Sequence, residues 1–301
     1  MQTEEKTTVR AASAAKDALG SYHPAVTALF LGAALLFTML FLHPVTLVLS
    51  FAGALLYASL LAGWDRVRRG AAMWAPFLIL VLLSNPLLTH RGITPLFILP
   101  TGNAVTAESM LFGAASTLML ASVLLWLFCL RTVMGADKWI SLFGRIVPAL
   151  SLLLSMAFRQ VPRVAARVRD VRAAQPQTEK KSFLGGVRQM VRVLSAVTTW
   201  MLEESVDRSD AMLARGYGLP GRTSFDRFRF LKRDARMLLL WAALIGGTAA
   251  AAFAGAFSYW YYPAVRPLEL TAASVPGFLC LAAVFFLPAA LHMREERRWK
   301  T

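Results

Sequence analysis

The chain has 301 residues, 57% of them hydrophobic and 16% charged, with a formal net charge of +15. That is too apolar for an ordinary soluble domain, and the apolar residues fall in long runs. A charge of this size often marks a nucleic-acid binder, but its placement along the chain points to a membrane protein with no nucleic-acid partner.

A bilayer span needs about 20 consecutive apolar residues. Six stretches come close, 25–42, 45–62, 71–89, 109–130, 237–259 and 271–291, and none contains Asp, Glu, Lys or Arg. Residues 1–24 are read as a cytoplasmic segment. They are not expected to be a signal peptide, since no cleavage site follows Phe30–Phe41 and another span comes at once. A seventh apolar stretch, 139–158, is interrupted by Arg145 and Pro148.

The loops carry the orientation. Residues 159–236 hold seventeen Lys/Arg and eight Asp/Glu, a balance of +9. Trp64–Gly70 ("WDRVRRG") and the tail from Arg294 ("REERRWK") add +2 each. In 90–108, Arg91 offsets Glu108, and in 260–270, Arg266 offsets Glu269. Basic loops therefore alternate with neutral ones, which assigns 63–70, 131–138, 159–236 and both termini to the cytoplasm. His43–Pro44 and 90–108 then lie outside. Since 139–158 begins and ends among inside residues it cannot cross. Arg145 and Pro148 suit a hydrophobic helix lying along the cytoplasmic face better than a lipid-exposed span.

The expected fold is an all-α integral membrane protein with about six transmembrane helices and a cytoplasmic insertion. Its parts are a four-helix region (25–138), a coupling-helix domain (139–236) and a C-terminal pair of spans with a basic tail (237–301). In the outer loop Pro95, Pro100, Gly102 and Asn103 are turn residues. Thr106 is the expected N-cap of the fourth span and Glu108 suits its first turn. "SYWYY" (258–262) closes the fifth span as an aromatic belt.

The insertion reads as amphipathic helices. Val161, Val164, Val168 and Val171 form one stripe, flanked by Arg159, Arg163 and Arg167, and Pro176 stops that helix. A second helix is expected from near Val187. Met190, Val191, Leu194, Val197, Thr198 and Met201 line one face. Leu202, Val206, Ser209 and Leu213 continue it, with Glu203, Glu204, Asp207 and Asp210 on the far side. Arg215 falls at its end, where the helix dipole favours a cation, and Gly216 takes the left-handed position. Cys129 and Cys280 lie in apolar runs and suggest no disulfide. His23, His43, His90 and His292 show no ligand spacing, so no metal or other cofactor is expected.

Three classes of function remain open on these residues. One is a docking device that carries motion from a soluble partner. The second is a membrane enzyme using Glu203, Glu204, Asp207 and Asp210, although no nucleophile and base accompany them. The third is a self-contained secondary transporter, whose spans usually carry ionisable groups that these lack. No phosphate-binding loop is present, so the chain is not expected to be an ATPase.

"LARGYGLPGR" (213–222) resembles the signature of the transmembrane, or T, component of energy-coupling factor transporters, in the cobalt transport permease subunit family. "NPLLTHRG" (85–92) with "TGNAVTAES" (101–109), and "SLFGRIVPALSLLLSMAFRQVPR" (141–163), are similar to that family in the same order, and the resemblance runs from about residue 21 to 236. It implies a non-catalytic subunit in a bacterial or archaeal cell membrane. Its partners would be two cytoplasmic ABC ATPases and a small membrane S component that binds a vitamin, metal or similar micronutrient. Ala214, Arg215 and Gly216 match the motif that docks on the ATPases. Where the family has a second such motif this chain has "VRAAQ" (171–175) before Pro176, which leaves Arg172 as the nearest counterpart. Two spans after the insertion also exceed the simplest members. Leu154, Val187, Leu194 and Met201 are the residues expected to contact the S component or the remaining spans.

Overall fold

A computed structural model describes residues 19–89, 92–98, 104–144, 148–174, 183–220, 228, 230–263, 265 and 274–300. The readings made at His90, Arg91, Pro100, Gly102, Asn103, Arg145, Pro176, Arg266 and Glu269 lie outside these residues. The described elements are α1 (Pro24–Leu40), α2 (Pro44–Ala62), α3 (Trp64–Leu88), β1 (Pro95–Ile98), β2 (Ala104–Thr106), α4 (Ala107–Val133), α5 (Ala136–Gly144), α6 (Pro148–Ala174), α7 (Phe183–Ala214), α8 (Lys232–Phe253) and α9 (Val275–Lys300). They form two compact units, one of Met1–Gly135 with Phe228–Thr301 and one of Ala136–Arg227.

The first unit is a multi-pass membrane body. By length and composition α2, α3, α4, α8 and the Val275–Arg297 part of α9 can each cross a bilayer, and α1 is a shorter apolar helix. Each of the six expected spans falls within or largely on one of these helices. α2 sits at the centre, packed against α4, α9, α3 and α1. The core is aromatic. Phe30 of α1 lies 4.2 Å from Trp241 of α8 and 6.1 Å from Trp126 of α4, between ring centroids. Trp126 in turn meets Phe285 of α9 at 5.9 Å and Tyr57 of α2 at 6.4 Å. Lipid tails are as apolar as these rings, so burial alone does not hold the helices together, and polar contacts contribute. Ser50 supplies one: its hydroxyl is 2.6 Å from that of Thr38 and accepts the Trp126 indole N–H at 3.0 Å, which joins α1, α2 and α4.

The helix ends sort onto two sides of this body. On one side Asp234, at the start of α8, accepts Leu231 N–H at 2.9 Å and His23 N–H at 3.4 Å, so one buried carboxylate caps α8 and reaches the start of α1. Arg233 donates to the Ser21 carbonyl at 2.9 Å and lies over the Tyr22 ring. On the other side the Tyr261 hydroxyl donates to the Leu42 carbonyl at 2.8 Å, and His43 touches Tyr259 and Phe278. Phe112 near the start of α4 meets Tyr261 and Tyr262 there. α4 is 27 residues long, about 40 Å of helix, so it runs back to the Asp234 side. The chain thus leaves and re-enters the body on one side.

Four differences from the sequence reading have plain causes. Residues 92–106 are not all loop: β1 and β2 pair antiparallel, Phe97 opposite Val105 and Ile98 opposite Ala104, in a ribbon too short for a periodicity signal. The "WDRVRRG" stretch is not a loop, because Gly63 alone reverses the chain and α3 begins at Trp64. α8 ends at Phe253, before the expected end of the fifth span. The aromatic run 258–262 therefore folds back, with Tyr261 buried and, of its aromatic side chains, Trp260 exposed.

Both His-Pro pairs start helices in the same way. Proline at the first helical position needs no N–H partner, and the Nδ1 of His23 and of His43 accepts the N–H of Ala25 and of Val45 at 3.2 and 3.3 Å. His43 is buried in the turn before α2, facing the Tyr259 and Phe278 rings, with the Tyr261 hydroxyl near by at Leu42. Desolvation pulls its pKa below the ordinary 6.5. The folded state therefore holds His43 neutral while the unfolded chain takes up a proton below about 6.5. Stability is full above that pH and falls as pH drops toward the lowered folded value. Between pH 7.5 and 5.5, the thermal midpoint of the wild-type protein in detergent is expected to drop further than that of His43→Asn, which caps without titrating. Equal drops would show that His43 does not titrate between the two states.

Candidate functional site

The second unit is built on α6 and α7. Gln160 on α6 donates to Glu204 on α7 at 3.1 Å and accepts from Arg208 at 2.9 Å. Arg163 reaches Glu204 at 3.5 Å, Arg208 also pairs with Glu204, and Arg167 lies 5.1 Å over the Trp200 ring. Numbers rising on α6 meet numbers falling on α7, so the helices are antiparallel. The face of α7 turned to α6 runs through Gln189, Val193, Val197, Trp200, Glu204 and Arg208, with Val193 4% and Val197 2% exposed. Glu204 is therefore not on the far side with Glu203, Asp207 and Asp210, which are exposed; one residue of rotation puts it in the seam. α7 also starts earlier than expected, at Phe183, because Gly185 and Gly186 continue the helix instead of ending a loop.

Outside the seam an apolar face stays open. Val187, Met190, Val191, Leu194, Leu202, Val206 and Leu213 are all exposed, as are Leu153, Phe158 and Val161 on α6. Of the residues expected to contact a membrane partner, Val187 and Leu194 lie on this face, while Leu154 and Met201 are half-buried. Extending the register sets Leu154 level with Leu213 and Arg172 level with Ser195. Leu154 and Leu194 thus sit toward opposite ends of the pair.

The end of α7 is a defined turn. Ala214 is its last residue, Arg215 the cap, and Gly216 follows with φ +79°. Tyr217 N–H bonds to Met212 O at 3.0 Å and Gly216 N–H to Leu213 O at 2.9 Å, the paired bonds that close a helix around a left-handed residue. Leu219 N–H then returns to Gly216 O at 3.2 Å. Glycine takes this conformation at little cost, whereas L side chains resist it. The turn leaves Arg215, Tyr217 and Leu219 exposed. Arg172 is exposed in the last turn of α6, and by the register it stands about 30 Å of helix away from Arg215. The structure therefore places the two candidate arginines at opposite ends of one antiparallel pair and not in one site.

Among the described residues no three His, Cys, Asp or Glu side chains come together as a metal ion would need, and Cys129 and Cys280 are both unbridged. Of the carboxylates weighed for an enzyme, Glu204 is set apart in the seam, engaged by Gln160, Arg163 and Arg208, while Glu203, Asp207 and Asp210 are exposed. The chain matches no protein-family model, and no curated protein is detectably similar to it.

Proposed function

We propose that this chain is the membrane-embedded energy-coupling subunit of an ABC-type importer for a micronutrient, a T component that catalyses no reaction itself. The observation that carries the reading is the tip of α7. Ala214 adds no bulk, Arg215 offers a planar fork of donors suited to a carboxylate, and the turn at Gly216 holds both at a rigid helix end. A plug of this kind transmits a push without bending. A second cationic end at Arg172, about 30 Å of helix away, suits two ATPases better than one. The resemblance of "LARGYGLPGR" to the T-component signature points the same way. In this reading the body crosses the cell membrane six times with both termini cytoplasmic, the second unit is cytoplasmic, and the open face through Val187 and Leu194 takes the S component.

Gentle extraction of the chain from its native membrane tests this. Two ABC ATPases and one small membrane protein should accompany it, and the chain alone in vesicles should not transport. Uptake by the chain alone would make it a secondary transporter, and turnover by it alone would make it an enzyme.

A further inference from the structure

At the end of the body opposite Asp234, β1 turns Leu96 and Ile98 outward, 57% and 71% exposed, and Ile93 just before it is 65% exposed. Residues 92–98 and 104–107 hold no charge, and Glu108, the nearest acid, is buried. A two-stranded ribbon is marginal by itself in water, yet this one is pinned at its base. The Thr94 hydroxyl donates to Glu108 at 2.8 Å, its N–H reaches the other carboxylate oxygen at 3.4 Å, and Ala107 N–H bonds to Thr94 O at 3.1 Å. The contact is close enough that a Cβ on Gly92 would come within 2.5 Å of Glu108 Oε2.

The ribbon packs on α3 through β2. No residue in the span window of α3 is buried, and Leu80, Leu83, Leu87 and Leu88 face outward. This is the face a span presents to lipid. Open strand edges cannot enter hydrocarbon, because their N–H and C=O groups would be unpaired. They are satisfied at headgroup level.

We infer that the β1–β2 ribbon lies in the membrane interface, with Leu96 and Ile98 inserted at the boundary between headgroups and acyl chains and the strand edges hydrated among the headgroups. The occupant is phospholipid, recognised by its apolar boundary and not by headgroup charge. The ribbon then fixes the depth of the α3–α4 end in the bilayer through the Thr94–Glu108 base. This does not depend on the coupling role.

Spin labels test it on the full chain in phosphatidylcholine nanodiscs, in a Cys129→Ala, Cys280→Ala background. Leu96→Cys and Ile98→Cys are labelled separately, and collision with oxygen is compared with collision with a water-soluble nickel chelate. Oxygen should dominate by about twofold or more at both sites, at the depth of about 5–10 Å typical of interfacial segments. Nickel dominating at either site would place the ribbon in water and overturn the inference. Exclusion of both colliders would mean that protein covers the patch, and would overturn it equally.

Discussion

With the chain as the coupling subunit proposed above, Arg215→Ala is expected to abolish uptake, with assembly reduced or intact. Arg215 is exposed in the isolated chain, so its value lies in what it would pair with. Removing one partner of a buried, hydrogen-bonded charge pair typically costs about 2–5 kcal/mol, because the other charge is left unpaired. A loss of that size at one of several contacts can leave the complex together but uncoupled. Arg215→Lys should rescue only in part, since an ammonium does not reproduce the fork. Gly216→Ala should also impair uptake while keeping the charge. A Cβ there would sit 3.1 Å from Leu219 Cδ1 on a backbone at φ +79°, and an L residue in that conformation costs about 1–2 kcal/mol. Arg172→Ala should do less, as its motif is incomplete. Uptake measured on Arg215→Ala, Arg172→Ala and Arg192→Ala in one background decides the matter, Arg192 being an exposed arginine within α7. Equal, mild defects would mean that the arginines serve as general positive charge on an anionic lipid surface, and the coupling role of Arg215 would fall.

The second large effect belongs to the body. A Cβ at Gly53 would lie 2.8 Å from Phe285 O, 2.9 Å from Phe285 Cβ and 3.1 Å from Phe285 C. Two of these atoms are backbone, so α2 and α9 must part to admit it. Overpacking typically costs about 1–3 kcal/mol and occasionally more. Gly53→Ala should reach the top of that range and Gly53→Leu exceed it, because Phe285 also packs on Trp126. Gly32 in α1 has nothing within 4 Å of its Cβ position, so Gly32→Ala should be neutral or slightly stabilising through helix propensity. Thermal unfolding of the three variants in detergent checks this. Similar midpoints for Gly53→Ala and Gly32→Ala would show that the close approach of α2 and α9 is wrong.

The apolar helices were legible because each is a long, uncharged run that hydropathy finds without tertiary information; five are long enough to cross a bilayer and α1 is shorter. The cap at Thr106 and the turn at Gly216 were legible for a related reason: both are local rules, met by Ser109 N–H on Thr106 and by φ +79° at Gly216. The seam of α6 and α7 was only half legible. Met190, Val191 and Leu194 are as apolar as Val193 and Val197, so composition did not tell the packed face from the open one, and Glu204 was set on the wrong side. The ribbon β1–β2 escaped because Pro95 and the turn residues outweigh a strand of four residues. The histidine caps escaped because imidazole is a rare acceptor at that position. What lay furthest from view was the pairing of distant ends, such as Asp234 with His23, which no local pattern encodes.

That last pairing has a consequence for how the protein is made. Asp234 and His23 are 211 residues apart, so the first helices wait in the membrane until that intervening chain is synthesised. Until α8 and α9 arrive, Phe30 and Trp126 lack Trp241 and Phe285 as neighbours, and the faces that will become core stand open to lipid. Closure of the body is then a late, long-range step of the slow kind. Birth order thus runs against spatial order, since the central helix α2 is made early and its neighbour α9 last. A chain stopped anywhere before α8 would hold α1, α2 and α4 without Trp241 and Phe285, the rings that complete their aromatic core.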